Sequence, residues 1–231
     1  MTTTLITGGN KGLGYESARR LAEGGHRVIL GVRDPARGAD AAERLGVEWT
    51  IIDVGSDESV AAAAKDVEAR FGGLDVLINN AGISGAITAM ENFDGPAVSE
   101  VLDTNVVGIV RTIHAFLPLL QQSSAPVVVN VSSGLGSFDV RADASRIEHG
   151  IPSLGYSASK AAVNMLTTIY AQFLPGIRIN AVDPGYTATD FNGNSGTQTV
   201  TEGTDAIVAM ASISAHGPTG TFSDRHGAVR W

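Results

Sequence analysis

Short apolar runs rich in β-branched residues alternate along the chain with alanine-rich stretches that have a helical period. The apolar runs cover residues 3–7, 27–32, 48–52, 74–79, 126–131, 177–182 and 220–222. The helical candidates between them cover residues 12–23, 35–45, 57–71, 96–122, 153–173 and 199–212. Because apolar runs that hardly alternate are buried on both faces, this order predicts a parallel sheet covered by helices on both sides. We therefore predict an α/β fold, with one domain over residues 1–231 and a doubly wound, seven-stranded parallel sheet.

Charge and residue counts exclude several classes of function. A formal net charge of −8 gives no electrostatic footprint for nucleic acid or for an anionic membrane. The absence of cysteine excludes disulfides, thiolate metal sites and a cysteine nucleophile. The five histidines have no ligand-like spacing, so we expect no metal. The first residues lack the pattern of a signal peptide, and no apolar run approaches the ~20 residues of a membrane span, so we expect a cytoplasmic protein.

A glycine-rich loop, TGGNKGLG at residues 7–14, follows the first predicted strand and opens the first predicted helix. Glycines in such a loop let the backbone turn sharply and approach a pyrophosphate, whose charge the helix N-terminus favours. The position after the first strand favours a dinucleotide site over a tight strand–helix turn without a ligand. The cofactor contacts predicted from this loop are Thr7, Gly8, Asn10, Lys11, Gly12, Leu13 and Gly14.

Three further motifs stand at the ends of later predicted strands. They are Asp53-Val54, Asn79-Asn80-Ala81-Gly82 and Asp183-Pro184-Gly185. With the spacing Gly-x-x-x-Gly-x-Gly and a serine and tyrosine–lysine segment, they resemble, over nearly the whole chain, the short-chain dehydrogenase/reductase family. The resemblance implies a Rossmann fold with a dinucleotide at the carboxyl ends of the strands. It also implies cofactor contacts from Asp53, Val54, Asn79, Asn80, Ala81, Gly82, Tyr156, Lys160, Pro184, Gly185, Thr187 and Thr189.

The residues around the second strand bear on the choice between NAD and NADP. That strand is followed by Arg33, and Lys11 lies in the glycine loop. NAD-binding members of the family carry an acidic residue where Val32 stands here, and such a residue repels a 2′-phosphate. Two cations in one pocket favour a phosphate, because a guanidinium can bind its oxygens bidentately. We therefore expect NADP(H); the alternative is that Arg33 forms a surface ion pair with Asp34.

Tyr156 and Lys160 are four residues apart, a spacing that places both on one face of a helix. An unperturbed tyrosine has a pKa near ~10 and is a poor acid–base catalyst at neutral pH. A nearby ammonium favours the phenolate and brings the pKa of the phenol towards the working range. Such a pair also occurs by chance in many helices, so its interpretation depends on the residues around it.

The resemblance supplies two partners for this pair. Ser132 and Ser133 end the fifth predicted strand, and Ser133 aligns better with the family's catalytic serine because Gly136 then matches the family's following glycine. Ser133 would bond the substrate oxygen, whereas Ser132 would pack or cap locally. Asn105, inside a predicted helix, would hold a water that relays protons to Lys160. A structural hydrogen bond for a buried asparagine is compatible with that role.

The resemblance implies an oxidoreductase that transfers a hydride between NADPH and a small-molecule carbonyl or alcohol, with Tyr156 as general acid and base. Lys11 and Arg33 are similar to those of the NADPH-dependent carbonyl reductases, which favours reduction of a ketone, aldehyde or quinone. An acidic carrier protein would need a basic docking patch, and the acidic sequence shows none, so reduction of a carrier-bound acyl chain is disfavoured. One alternative is a sugar-nucleotide epimerase or dehydratase, but those relatives have another glycine spacing and a larger C-terminal domain. The other is a non-catalytic NADPH-binding regulatory protein, which would not need the acid–base residues.

Two segments, residues 134–152 and 184–198, are predicted as long loops, which in compact domains are usually functional. Ser133 and Tyr156 are further apart than in common family members, and the extra residues, 138–149, resemble the insertion of monomeric carbonyl reductases. This insertion either shields the Tyr156 helix and keeps the protein a monomer, or reshapes the substrate mouth; both a monomer and a homodimer stay open. Residues 186–198, after Pro184-Gly185, are short for a lid over the substrate, which favours an open substrate pocket.

Overall fold

One eight-stranded sheet runs through the computed structural model, which describes residues 1–231. Its strands are β1 (Thr3–Thr7), β2 (Arg27–Val32), β3 (Glu48–Ile51), β4 (Val76–Asn79), β5 (Val127–Val131), β6 (Arg178–Val182), β7 (Phe222–Asp224) and β8 (Gly227–Ala228). The spatial order is β3-β2-β1-β4-β5-β6-β7-β8, and all neighbours pair in parallel except β7 and β8. The predicted doubly wound α/β class is confirmed. The sheet has one strand more than predicted, because β8 is an antiparallel return too short to produce a sequence pattern.

Helices cover both faces of this sheet. They are α1 (Gly12–Glu23), α2 (Pro35–Leu45), α3 (Asp57–Phe71), α4 (Gly95–Leu102), α5 (Gly108–Leu120), α6 (Phe138–Ala142), α7 (Leu154–Phe173), α8 (Val200–Gly203) and α9 (Asp205–Ala211). On one face, Leu5 and Leu77 pack with apolar residues of α3, α5 and α7. On the other, Ile6 and Ile78 pack with residues of α1, α2 and α9. Adjacent residues of a strand point to opposite faces of the sheet. Because both faces are buried here, both residues must be apolar, which explains why the apolar runs of the sequence do not alternate with polar residues.

Two of the predicted helices are interrupted. The stretch 96–122 is divided by Asp103–Val107, which has π-helical hydrogen bonding and separates α4 from α5. A single π turn leaves the apolar periodicity on either side nearly unchanged, so the sequence pattern does not reveal it. The stretch 199–212 is likewise divided at Thr204 into α8 and α9.

The segment 134–152, predicted as a long loop, contains three short helical pieces. They are the 3₁₀ turns Gly134–Gly136 and Ile147–Gly150, with α6 between them. The Ser137 hydroxyl caps α6 by accepting from Val140 N, and it donates to the carbonyl oxygen of Arg230 at 2.7 Å. The start of the segment is therefore attached to the last residues of the chain.

The outer face of α7 keeps a row of exposed apolar side chains. Met165 is 61% exposed, Ile169 45% and Phe173 70%. The segment 138–149 therefore does not cover this half of the helix. No helix of the chain is both long enough and apolar enough to cross a membrane.

The carboxyl ends of β1, β4, β5 and β6 lie side by side at one edge of the sheet. The chain order reverses between β1 and β4, and in open α/β sheets ligands bind at such a switch point. The turn after β5 packs directly on α7: a Cβ on Gly136 would overlap the backbone of Lys160. This contact brings α7 against the sheet edge.

Candidate active site

A cleft of about 760 Å³ opens at this edge of the sheet. The predicted site residues that line it are Gly8, Asn10, Lys11, Gly12, Leu13, Arg33, Asp53, Val54, Asn80, Ala81, Gly82, Ser133, Tyr156, Lys160, Pro184, Gly185, Thr187 and Thr189. The predicted residues that are not among the lining residues are Thr7, Gly14, Asn79 and Asn105. All four of these are buried. Their contacts, described below, hold the wall of the cleft from behind.

The glycine loop has the conformation that its residues favour. Gly8 and Gly12 have φ angles of +67° and +55°, in the left-handed region that side chains disfavour. A Cβ on Gly14 would overlap the carbonyl oxygen of Gly8, so α1 can begin this close to the loop only with glycine there. The loop therefore exposes backbone at the N-terminus of α1, where a pyrophosphate is favoured.

Thr7 joins the ends of β1 and β4. Its hydroxyl oxygen accepts from the backbone N–H groups of Asn80 and Ala81, both at 3.0 Å. In return, Asn80 Nδ2 donates to the carbonyl oxygen of Thr7 at 2.9 Å. The two loops that form this wall are thus held together by side chains of the two motifs.

Asn79, predicted as a cofactor contact, is 4% exposed and engaged in a buried polar network. Its Nδ2 donates to Asn130 Oδ1 at 2.9 Å, and its Oδ1 accepts from the Thr112 hydroxyl at 2.7 Å. Asn130 donates in turn to the Thr167 hydroxyl at 2.9 Å. Buried amides need such partners, and these ones link β4 and β5 to α5 and α7.

Two cationic side chains at one end of the cleft have no ion-pair partner. Lys11 and Arg33 are both exposed, and neither forms a salt bridge. Asp34 caps α2 instead, with Oδ1 accepting from Ala36 N at 2.9 Å, and pairs with Arg37 at 3.5 Å. The alternative Arg33–Asp34 pair is therefore absent, and both cations remain available to an anion.

Tyr156 and Lys160 lie one turn apart near the start of α7. Lys160 Nζ is 5.3 Å from the centre of the Tyr156 ring and donates to the carbonyl oxygen of Val131 at 2.7 Å. Lys160 is only 5% exposed. A single backbone acceptor thus holds a buried ammonium beneath the phenol, at the end of β5.

Burial shifts the pKa of both groups away from ordinary values. It raises the pKa of Tyr156 well above its usual range; the Asp183 carboxylate raises that pKa further, and the Ser133 hydroxyl lowers it. Burial lowers the pKa of Lys160 to about 8, and Asp183 acts in the opposite direction. Perturbed groups in a cleft are typical of functional sites.

The two serines after β5 have different surroundings. Ser132 is 1% exposed, and its hydroxyl donates to Asn164 Oδ1 at 2.6 Å. Ser133 lies on the cleft wall, where its Oγ accepts from Leu135 N at 3.2 Å. Both serines line the cleft, but Ser132 is buried and its hydroxyl is engaged with Asn164, whereas Ser133 is partly exposed.

Asn105 lies in the π turn and is 1% exposed. Its Oδ1 accepts from Ile83 N at 2.8 Å, and its Nδ2 donates to Ile83 O at 2.9 Å and to the Ser159 hydroxyl at 3.0 Å. The amide therefore joins the wall after Gly82 to α7. The relay water predicted for Asn105 stays a prediction, and the side chain has a structural role of its own.

Sequence reasoning did not assign a role to Asp183 or to Phe191. Asp183 follows β6 and is 5% exposed, with Oδ1 accepting from Gly185 N at 2.9 Å. Phe191 lies in the loop after β6, with its ring centre 5.7 Å from that of Tyr156. The Asp-Pro-Gly motif signals a turn but not a buried charge, and no pattern marks a loop aromatic as a neighbour of a helical tyrosine.

Apolar side chains form part of the cleft wall, and the ring of one of them, Phe191, lies 5.7 Å from that of Tyr156. They include Ile83, Ile87, Leu135, Ile151, Pro152 and Phe191. The only cations on the whole cleft wall are Lys11, Arg33 and Lys160. The cleft therefore has one end suited to an anion and another suited to an uncharged, apolar group.

Comparison with known proteins accounts for this arrangement. The sequence model of the family described as short chain dehydrogenase matches residues 2–200. The chain belongs to the short-chain dehydrogenase family. "Short-chain dehydrogenase/reductase 1" of Saponaria officinalis is 36% identical to it, over 96% of this chain and 93% of the plant protein. A (+)-neomenthol dehydrogenase of Capsicum annuum is 32% identical, over 94% of both chains.

Solved structures of this short-chain dehydrogenase family are similar along the whole chain. The NADPH-bound carbonyl reductase from chicken fatty liver superposes with a TM-score of 0.88 at 28% identity, covering 100% of this chain and 99% of the other. Salutaridine reductase from Papaver somniferum gives a TM-score of 0.83 at 28% identity, covering 97% and 99%. The family resemblance seen in the motifs is thus confirmed in three dimensions.

The two serines of this dehydrogenase should respond differently to substitution. Ser132→Ala leaves a buried Asn164 acceptor without its donor, so we expect a loss of about 1–3 kcal/mol in the free energy of unfolding. Ser133→Ala removes a partly exposed hydroxyl and should change that free energy by less than about 0.5 kcal/mol. Urea denaturation of both variants measures this. Equal losses in the two variants would contradict the difference in burial.

Proposed function

We propose that this chain is an NADPH-dependent oxidoreductase that reduces small-molecule ketones, aldehydes or quinones. The observation that carries this proposal is one cleft whose wall includes Ser133, Tyr156 and Lys160, at β5 and α7, together with Lys11 and Arg33, which follow β1 and β2. Names of the relatives, such as salutaridine reductase of Papaver bracteatum, support a small-molecule substrate. The bound carbonyl reductase from chicken supports NADPH as the nucleotide.

The residues of the cleft fit NADPH. Gly8 and Gly12 have left-handed backbones that leave space for a pyrophosphate at the N-terminus of α1. Lys11 and Arg33, both without ion-pair partners, would hold the 2′-phosphate. By the family resemblance, Asp53 and Val54 would contact the adenine, and Pro184, Gly185, Thr187 and Thr189 would lie beside the nicotinamide. When bound there, the nucleotide supplies the hydride.

The protein's own residues would supply and control the proton. Ser133 and Tyr156 would hydrogen-bond the carbonyl oxygen of the substrate, and the Tyr156 hydroxyl would donate its proton as negative charge develops there. The ammonium of Lys160, close to the Tyr156 ring, stabilises the phenolate that remains. Asn105 holds the π turn and Ser159 in place, and by resemblance a water at Asn105 would return a proton.

Substitution of Tyr156 tests the catalytic assignment. Tyr156→Phe removes the proton donor but keeps the ring, so we expect kcat to fall by roughly 10²–10⁴-fold. NADPH binding, followed by the change in nicotinamide fluorescence, should stay close to that of the parent protein. A variant with most of its turnover would show that another group donates the proton.

Cofactor choice is tested at the two free cations. Lys11→Ala and Arg33→Ala each remove a charged contact to the 2′-phosphate, so we expect KM for NADPH to rise roughly tenfold. KM for NADH should change little, because NADH has no phosphate at that position. Arg37→Ala, which removes an exposed α2 arginine paired with Asp34, is the matched control and should alter neither value. A parent protein with equal kcat/KM for the two nucleotides would sink the assignment.

A substrate panel tests the apolar end of the cleft. Uncharged cyclic and aromatic ketones, aldehydes and quinones should be reduced with consumption of NADPH. The same compounds bearing a carboxylate should lose roughly tenfold or more in kcat/KM, since apolar walls disfavour a charge. Absorbance of NADPH follows both sets. Turnover confined to the charged set would refute the proposed substrate class, and an inert panel would favour a non-catalytic NADPH-binding protein.

A further inference from the structure

Lys160 is a buried cation without a contact ion pair. Its Nζ has one hydrogen-bond acceptor among the protein groups, the carbonyl oxygen of Val131 at 2.7 Å. None of the salt bridges of the protein includes it. Removing a charge from water is costly unless another charge compensates it. The surroundings of β5 therefore need a negative group close enough to act on Lys160.

Asp183 is in the right place to be that group. In the parallel register of β5 and β6, Val131, whose carbonyl oxygen binds Lys160, is opposite Val182. Asp183 is the next residue after Val182. The side chain of Asp183 is buried at the same sheet edge, and its Oδ1 accepts from Gly185 N at 2.9 Å. The Asp183 carboxylate thus lies at the carboxyl end of the strand that neighbours Val131, the acceptor of Lys160, and it forms no salt bridge with the ammonium.

The absence of a side chain at residue 134 makes room for this carboxylate. A Cβ on Gly134 would lie 2.9 Å from Asp183 Oδ2 and 3.0 Å from Glu148 Oε1. Burial is the largest effect on Asp183 and raises its pKa above the usual value, while the backbone N–H groups of Gly185 and Gly134 act in the opposite direction. Backbone N–H groups beside a buried carboxylate offset part of the cost of keeping it charged.

We propose that Asp183 is a positioning residue whose buried carboxylate is the counter-charge that keeps the Lys160 ammonium protonated beneath Tyr156. The charged groups that act on Asp183 are Glu148 and Asp224, which oppose its ionisation, and Arg146, whose own charge Asp183 favours. Asp183 is the carboxylate whose charge acts on both Lys160 and Tyr156.

Asp183 acts on both residues towards the same state of the site. Its charge favours the ammonium of Lys160 and disfavours the phenolate of Tyr156. It therefore keeps the phenol protonated and the lysine charged, which is the state that a proton donor needs before reduction. The catalytic value of this protonation state rests on the proposed function, whereas the protonation of Lys160 itself can be measured without turnover.

The experiment is a titration of the lysine side chains. The chain has three lysines, Lys11, Lys65 and Lys160, so a protein labelled with ¹³C at lysine Cε gives three signals. Lys160→Arg identifies the one to follow. In Asp183→Asn, which keeps an oxygen acceptor for Gly185 N–H and removes the charge, we expect the Lys160 midpoint to fall by about one pH unit. Lys11 and Lys65 should titrate unchanged.

Glu148→Gln is the matched control, because it removes one carboxylate from beside Gly134 without removing Asp183. The pH midpoint of the Lys160 titration in this variant should equal that of the parent protein. Asp183→Ser is titrated alongside, as a second way to remove the charge should the asparagine variant fail to fold. A Lys160 midpoint unchanged without Asp183, or lowered equally by Glu148→Gln, would overturn the proposal.

Activity gives a separate readout. In Asp183→Asn the alkaline limb of the pH profile for carbonyl reduction should move to lower pH, because the ammonium is lost at lower pH. The fall in activity should be small at acid pH, where Lys160 is protonated in both proteins. A parent protein inactive on every carbonyl would contradict the proposed function, while the lysine titration would still decide the role of Asp183.

Discussion

The hydrogen bond from Lys160 to the carbonyl oxygen of Val131 joins α7, the helix that carries Tyr156, to the carboxyl end of the central sheet. Much of the site depends on it. It requires α7 to pack tightly on the turn after β5, which the missing Cβ of Gly136 permits. It also brings an ammonium into a buried place, where a charge changes the proton affinity of a nearby phenol far more than it would in water. The central sheet thus fixes the positions of Lys160 and Tyr156 relative to the cleft.

The cleft separates two kinds of recognition along its length. At one end, Lys11 and Arg33 stay in water, where a cation costs little to expose and can exchange water for phosphate oxygens. At the other, Phe191 lies beside the Tyr156 ring, and the cation there, Lys160, donates to the carbonyl oxygen of Val131. An anionic substrate would lose its hydration there without gaining a partner. The cations of the cleft wall thus suit an anionic nucleotide, and its apolar side chains suit an uncharged substrate.

Most of the fold could be predicted, because burial on both faces of a parallel strand leaves a run of apolar residues that is visible in one sequence. The first two strands match the predicted residues 3–7 and 27–32 without a shift. The π turn at Asp103–Val107 and the two residues of β8 could not be predicted, because neither changes the spacing of apolar residues in the sequence. The site followed the same rule. Most motif residues line one cleft at the sheet edge, but whether Asn79 faces that cleft or the core depends on packing that no motif records.

The role of Asp183 could not be predicted from the sequence alone. Its motif predicts a turn, and Gly185 with φ +69° makes that turn. The charge matters only because the register of β5 and β6 places it beside Val131 and hence beside Lys160. The segment 138–149, which lengthens the path from Ser133 to Tyr156, then delivers Glu148 to the other side of Gly134. Two carboxylates around a glycine that has no room for a side chain are therefore a consequence of strand register and of the inserted segment together. The proton affinity of the site is accordingly a property of the assembled sheet edge, and the Tyr156–Lys160 spacing alone does not determine it.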